Sequence, residues 1–181
     1  MGVAFRMRWA RPRMWEQYGE NHPGACLVFW KEALVEQLRS ELNRIAPYYH
    51  REVAYTPDGF SGSHARHLGP EIFPDDQPFY RSAAEYLETH HEDLFFLKTA
   101  DWATEFEYRF AVLGNKETPE HLALAYGDAL AAVVVGEHFP DWQSAGAREQ
   151  CERAGAEFRR LNWAMGRPFP SAGGPSGYDR R

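Results

Sequence analysis

The segment that most limits the fold runs from Ala25 to Ile45. Ala25 to Trp30 is a charge-free apolar run of strand length, and Lys31 to Ile45 follows at once with Leu34, Leu38, Leu42 and Ile45 spaced by four, four and three. That spacing lines one face of a 3.6-residue helix, and Val35 widens the stripe. A run without charge suits a strand covered on both faces, so Ala25 to Trp30 is expected to be a central strand. A chain that must bury both surfaces is neither all-helical nor all-β.

The rest of the pattern mixes the two periods unevenly. Pro12 opens a short helix over Arg13 to Tyr18, with Met14, Trp15 and Tyr18 on one side, and Asn21-His22-Pro23-Gly24 ends it. Pro47 stops the long helix, Tyr48 to Tyr55 reads as a strand, and Thr56-Pro57-Asp58-Gly59 as a turn. Phe60 to Gln77 has no steady period and is expected to be a long loop. A helix begins at Pro78, with further turns through Leu94 to Leu97. Trp102 to Val112 alternates as a strand, and Leu122 to Ala125 and Ala131 to Val135 are two more apolar runs, either strands around a short turn or helix. Asp141 is placed to cap a helix reaching about Ala154, and Leu161, Trp163 and Met165 alternate as a last short strand. The expected class is α+β: a single domain over residues 13–167, with a mixed or antiparallel sheet and flanking helices. A basic arm, 1–12, precedes it and a disordered tail, 168–181, follows.

Charge and length exclude several function classes. Among 181 residues the net charge is −6, yet Arg6, Arg8, Arg11 and Arg13 precede the first acid, Glu16. From Ser61 to Glu107 ten acids stand against Arg66, Arg81 and Lys98, which argues against a general nucleic-acid groove there. The strongest apolar stretch, Ala129 to Val135, is far short of the ~20 residues that span a bilayer, so no membrane association is expected. Arginines alternate with bulky residues from Met1 to Trp15 where a leader would need an apolar segment, and the expected location is cytoplasmic. Cys26 and Cys151 form no CxxC pair, which fits a reduced compartment, and Cys26 reads as a small buried hydrophobe.

No phosphate-binding GxxxxGK[ST] loop, GxGxxG turn, HExxH helix or GxSxG elbow occurs. His64 and His67, and His90-His91 before Glu92-Asp93, have permissive spacing but read as loop and helix-end histidines; no metal is assigned. The most chemical segment is Trp102-x-x-Glu105-x-Glu107-x-Arg109. Alternation would put both carboxylates and the guanidinium on one strand face. Paired carboxylates can divide roles, one orienting a hydroxyl group and one stabilising positive charge, with Arg109 holding an anionic group or keeping Glu107 ionised. A strand with a solvated charged face gives the same pattern.

Met14-Trp15-x-x-Tyr18-x-x-x-His22-x-Gly24, the apolar Cys26 to Phe29, and the Trp102 to Arg109 motif together resemble the bacterial family called domain of unknown function 2971. Tyr126 to Gly136 looks like that family's last apolar strand. Family members usually begin with a further segment bearing a His-or-Lys-Tyr-Thr/Ser start and an Asn-Asp-Pro turn, so the chain is expected to be N-terminally shortened.

The family's plan is remotely similar to that of ADP-ribosyltransferases. That similarity implies Glu107 as the catalytic carboxylate, Glu105 as the partner orienting the acceptor, and NAD as substrate. It implies substrate contacts from Trp15, Tyr18, His22 and Arg109, in an ADP-ribosyltransferase-like or NAD-hydrolysing enzyme of phage defence or toxin systems. For Trp15, Tyr18 and His22, packing under a short helix and capping of a turn explain the same residues. The competing expectation is a non-catalytic relative or interaction module that engages a protein partner or a second copy through an uncovered strand edge.

Overall fold

The structure, a computed structural model, describes residues 2–3, 8–57 and 79–171. In chain order its elements are β1 (Gly2–Val3), α1 (Pro12–Tyr18), β2 (Ala25–Phe29), α2 (Lys31–Leu42), β3 (Tyr48–Glu52), β4 (Ala54–Thr56) and α3 (Phe79–Phe95). These are followed by β5 (Leu97–Thr99), β6 (Tyr108–Val112), β7 (Leu130–Val135), α4 (Asp141–Arg153), β8 (Glu157–Ala164) and β9 (Arg167–Pro170). Helices accompany antiparallel and mixed strand pairings, which is the expected α+β class. The chain divides into two compact units, Met1–Ala4 with Ala46–Thr118 and Phe5–Ile45 with Pro119–Arg181.

In the first unit β6 is central between β1 and β3, antiparallel to both, and β4 pairs in parallel with β5. Val53 separates β3 from β4; its N–H donates to the Glu107 carbonyl at 2.8 Å, and the Ala54 N–H donates to the Phe96 carbonyl at 2.8 Å. One corner of the chain thereby ties two small sheets together. Among the described residues, Phe96, Val53 and Phe110 are the buried apolar side chains there.

In the second unit the order is β2-β7-β8-β9, with β7 antiparallel to β2 and parallel to β8. Leu34, Leu38 and Leu42 of α2 are buried, as their spacing predicts, whereas Ile45 lies beyond the helix end and is exposed. Trp15 packs with Val134 and Leu161, and its indole N–H donates to the Trp9 carbonyl at 2.7 Å. Cys151 packs with Leu130 and Ala156, and both cysteines are free thiols.

Four local expectations are corrected. Ala25–Phe29 is a strand but not a central one: among the described residues it pairs with β7 alone and leaves Leu27 half exposed. The central place goes to β7, whose side chains are buried along nearly its whole length. Trp102 to Val112 is not one strand, because Ala100–Glu105 is a 3₁₀ helix closed by Phe106 at φ +46°, and β6 begins at Tyr108. Asp141 does not cap its helix; Pro140 occupies that position, and the Asp141 carboxylate meets Arg160 Nη1 at 2.7 Å. Met165 is fully exposed at φ +52° in the turn to β9, which takes up Pro168–Pro170. Phe60 to Gln77 and residues 172–181 lie outside the described residues.

Candidate functional site

Glu105, Glu107 and Arg109 are brought together by a break in the strand. Perfect alternation would have spread the two carboxylates along one solvent face. Instead Glu105 ends a 3₁₀ helix, Phe106 turns the backbone into the left-handed region, and Glu107 follows immediately before β6. Left-handed φ at a bulky residue costs energy and persists where surrounding bonds fix it. Here the Glu107 N–H donates to the Tyr55 hydroxyl at 2.8 Å, which anchors the far side of the kink.

The two carboxylates converge on Lys98 of β5, whose Nζ lies 2.5 Å from Glu105 Oε2 and 3.1 Å from Glu107 Oε2. Arg109 grips Glu107 with two N–H groups, Nε to Oε1 at 2.9 Å and Nη2 to Oε2 at 2.8 Å, and its Nη1 donates to the Phe95 carbonyl. Such a fork fixes the plane of the carboxylate as well as its charge. The side chains are 7% (Glu105), 14% (Glu107), 23% (Arg109) and 27% (Lys98) exposed, so this is a largely buried two-plus-two ion network rather than a solvated face. The Lys98 ammonium also lies 5.3 Å from the centre of the Trp102 ring.

Protonation follows from the contacts. Burial pushes the Glu107 pKa up, but hydrogen bonds and charge from Arg109 and Lys98 outweigh it and hold the carboxyl below its ordinary range. Burial pulls Lys98 down, and bonds to Glu105 and Glu107 reverse this to a net rise. Arg109 is raised by its bonds to Glu107. Glu107 is therefore an anion near neutral pH. It can stabilise positive charge; it cannot serve as a proton donor there. Oε1 accepts one N–H and keeps a second lone pair, while Oε2 accepts two.

Trp15, Tyr18 and His22 lie in the other unit. The His22 ring stacks on Trp15 at 6.3 Å between centroids, and the edges of Trp163 and His138 meet it at 5.3 and 5.9 Å. Glu20, Asn21 and His22 all take positive φ, and an added Cβ at Gly136 would fall 1.8 Å from the His22 carbonyl oxygen. Trp15 and His22 are thus joined within a packed aromatic group, whereas Tyr18 is 59% exposed. His90 and His91 meet the rings of Tyr86 and Tyr49.

Lys98, the hub of the ion network, was missed by sequence reasoning. It lies in a three-residue strand with no period to mark it, and its sole signal is rarity, three lysines beside 17 arginines. The family model described as a protein of unknown function (DUF2971) matches residues 14–110. No curated protein and no solved structure matches the chain.

Proposed function

The chain belongs to the DUF2971 family of proteins of unknown function, and from that premise we propose that it cleaves the nicotinamide–ribose bond of NAD, as a hydrolase or ADP-ribosyltransferase. The observation that carries this is the largely buried Glu107 carboxylate, fixed in plane by Arg109 and held ionised. A ribosyl cation forming next to a preoriented anion in a partly water-excluded site is stabilised far more than in bulk water. In the reaction the C1′–N bond breaks, nicotinamide leaves with the electron pair, and water or an acceptor hydroxyl adds at C1′, losing its proton to solvent. Glu105 acts through Lys98 as a positioning residue, keeping the ammonium from sitting wholly on Glu107. A toxin or phage-defence setting suits such chemistry.

The test is nicotinamide release from NAD by the full chain, with Glu107→Gln assayed at a temperature where circular dichroism shows it folded. Release by the wild type and its loss in the variant are expected. No release from a folded wild-type chain, or equal release by both, would overturn the proposal.

One observation favours a second reading, a non-catalytic module docking through β2. Leu27 on that edge strand and the adjacent Trp30 are 52% and 55% exposed, and open strand edges recruit partners. Light scattering at high concentration tests it: a dimer broken by Leu27→Glu supports docking, and a monomer counts against it.

A further inference from the structure

The second unit contains a cleft of ≈390 Å³ lined by Asp141, Ser144, Arg148, Phe158, Arg160 and Ser171, together with Arg159. That volume is on the scale of small-ligand sites, roughly 300–1,000 Å³. Phe158 and Arg160, two apart on β8, share the face turned to α4, where Phe158 packs near Cys151 and Arg160 reaches Asp141.

The arginines are held in place before any ligand arrives. Arg160 Nη1 contacts Asp141 at 2.7 Å, and Nη2 donates to Ser144 Oγ at 2.8 Å and to the Phe139 carbonyl at 3.1 Å. The Ser171 N–H donates to the Arg160 carbonyl at 3.0 Å, keeping a second hydroxyl beside the strand. Arg148 lies over the Phe158 ring, 4.8 Å from its centre, which restrains a long side chain at the rim. Arg159 is bonded to Glu157, which leaves Arg148 and Arg160 to face a ligand. Those two guanidinium groups face one lining carboxylate, that of the exposed Asp141, in a chain whose net charge is −6. With both Nη2 hydrogens of Arg160 engaged by Ser144 and Phe139, its Nε–H and second Nη1–H are left, together with the Arg148 guanidinium, for the tetrahedral oxygens of a phosphate ester, and an arginine lying over an aromatic ring offers a surface to a planar base.

We propose that this cleft binds a phosphate-bearing small molecule of the nucleoside diphosphate class, with Arg160 and Ser144 on one phosphate and Arg148 on the other. Glu107 belongs to the other unit and has no part in it.

Isothermal titration calorimetry of the full chain with ADP, pyrophosphate and adenosine tests the assignment. ADP and pyrophosphate should bind, more weakly as salt rises, and adenosine should not. Arg148→Gln, at an exposed position outside the core, should weaken ADP at least about tenfold while leaving the melting curve unchanged, and Glu107→Gln should bind ADP like the wild type. Arg160→Lys keeps the charge but loses the fork and should also weaken binding. Absence of ADP and pyrophosphate binding, equal affinity for adenosine, or indifference to both arginine variants would overturn the proposal. So would binding confined to a single-stranded oligonucleotide, because the site would then be a backbone contact.

Discussion

Replacing Glu107 with Gln keeps the size of the side chain and removes its charge, and the structure says what that costs. Two charge-assisted bonds from Arg109, at 2.9 and 2.8 Å, and the 3.1 Å approach of Lys98 end on this one carboxylate. The amide oxygen of Gln can accept one of these bonds, but its NH₂ group must face a cation. Glu105 still faces Lys98, so Arg109 loses the most. Removing one partner of a fully buried ion pair costs roughly 3–5 kcal/mol. With Arg109 and Lys98 about a quarter exposed, water recovers part of this, and a loss of about 2–3 kcal/mol is expected. For a chain of this length that lowers Tm by roughly 4–12 °C. Thermal unfolding followed by circular dichroism at neutral pH and low salt measures it, and Arg109→Gln combined with Glu107→Gln should cost less than the sum of the two single changes. A Tm within about 1 °C of wild type, or strict additivity of the pair, would refute the ion network as drawn.

The pH dependence follows from the same contacts. Glu107 has a folded pKa below the 4.5 of a free carboxyl, so its stabilisation is complete above that value and is lost as pH falls through the lower folded pKa; Glu107→Gln should flatten the acid limb of the Tm profile. Lys98, raised above 10.5, contributes fully below that value and loses its contribution as pH rises through the folded pKa, so Lys98→Met should flatten the alkaline limb. Gly136→Ala puts a Cβ 1.8 Å from the His22 carbonyl oxygen, a backbone atom that cannot swing aside, and should cost several kcal/mol; a Tm near wild type in a thermal melt would contradict the packing of that loop. Cys151 is buried and its thiol pKa is pushed up chiefly by that burial, so a Cys26→Ser chain should react with a disulfide reagent only after denaturant is added, and prompt native reaction would show the site to be open.

Where one helical period served one buried face, the sequence was legible. Leu34, Leu38 and Leu42 are buried as spaced, and the Pro12 start and the Phe79–Phe95 helix follow from local rules. Edge or centre was not legible for Ala25–Phe29, since an apolar run fits either place and only β7 decides which neighbour it has. The Asp141 cap failed for a related reason: a carboxylate that fits an N-cap also fits an arginine, and Arg160 comes from an element 19 positions later.

The ion network divides the same way. Residue order alone determined that two acids and an arginine would lie within five positions of one another, and the family resemblance rested on that spacing. Tertiary structure decided that they are buried together on Lys98. A left-handed residue at Phe106 defeats the period-two rule, and it holds because Tyr55 and Val53, distant in sequence, bind the Glu107 backbone from both sides. Local spacing sets which charges can meet; the dielectric around them, and hence their protonation and strength, depends on what the rest of the chain packs over them.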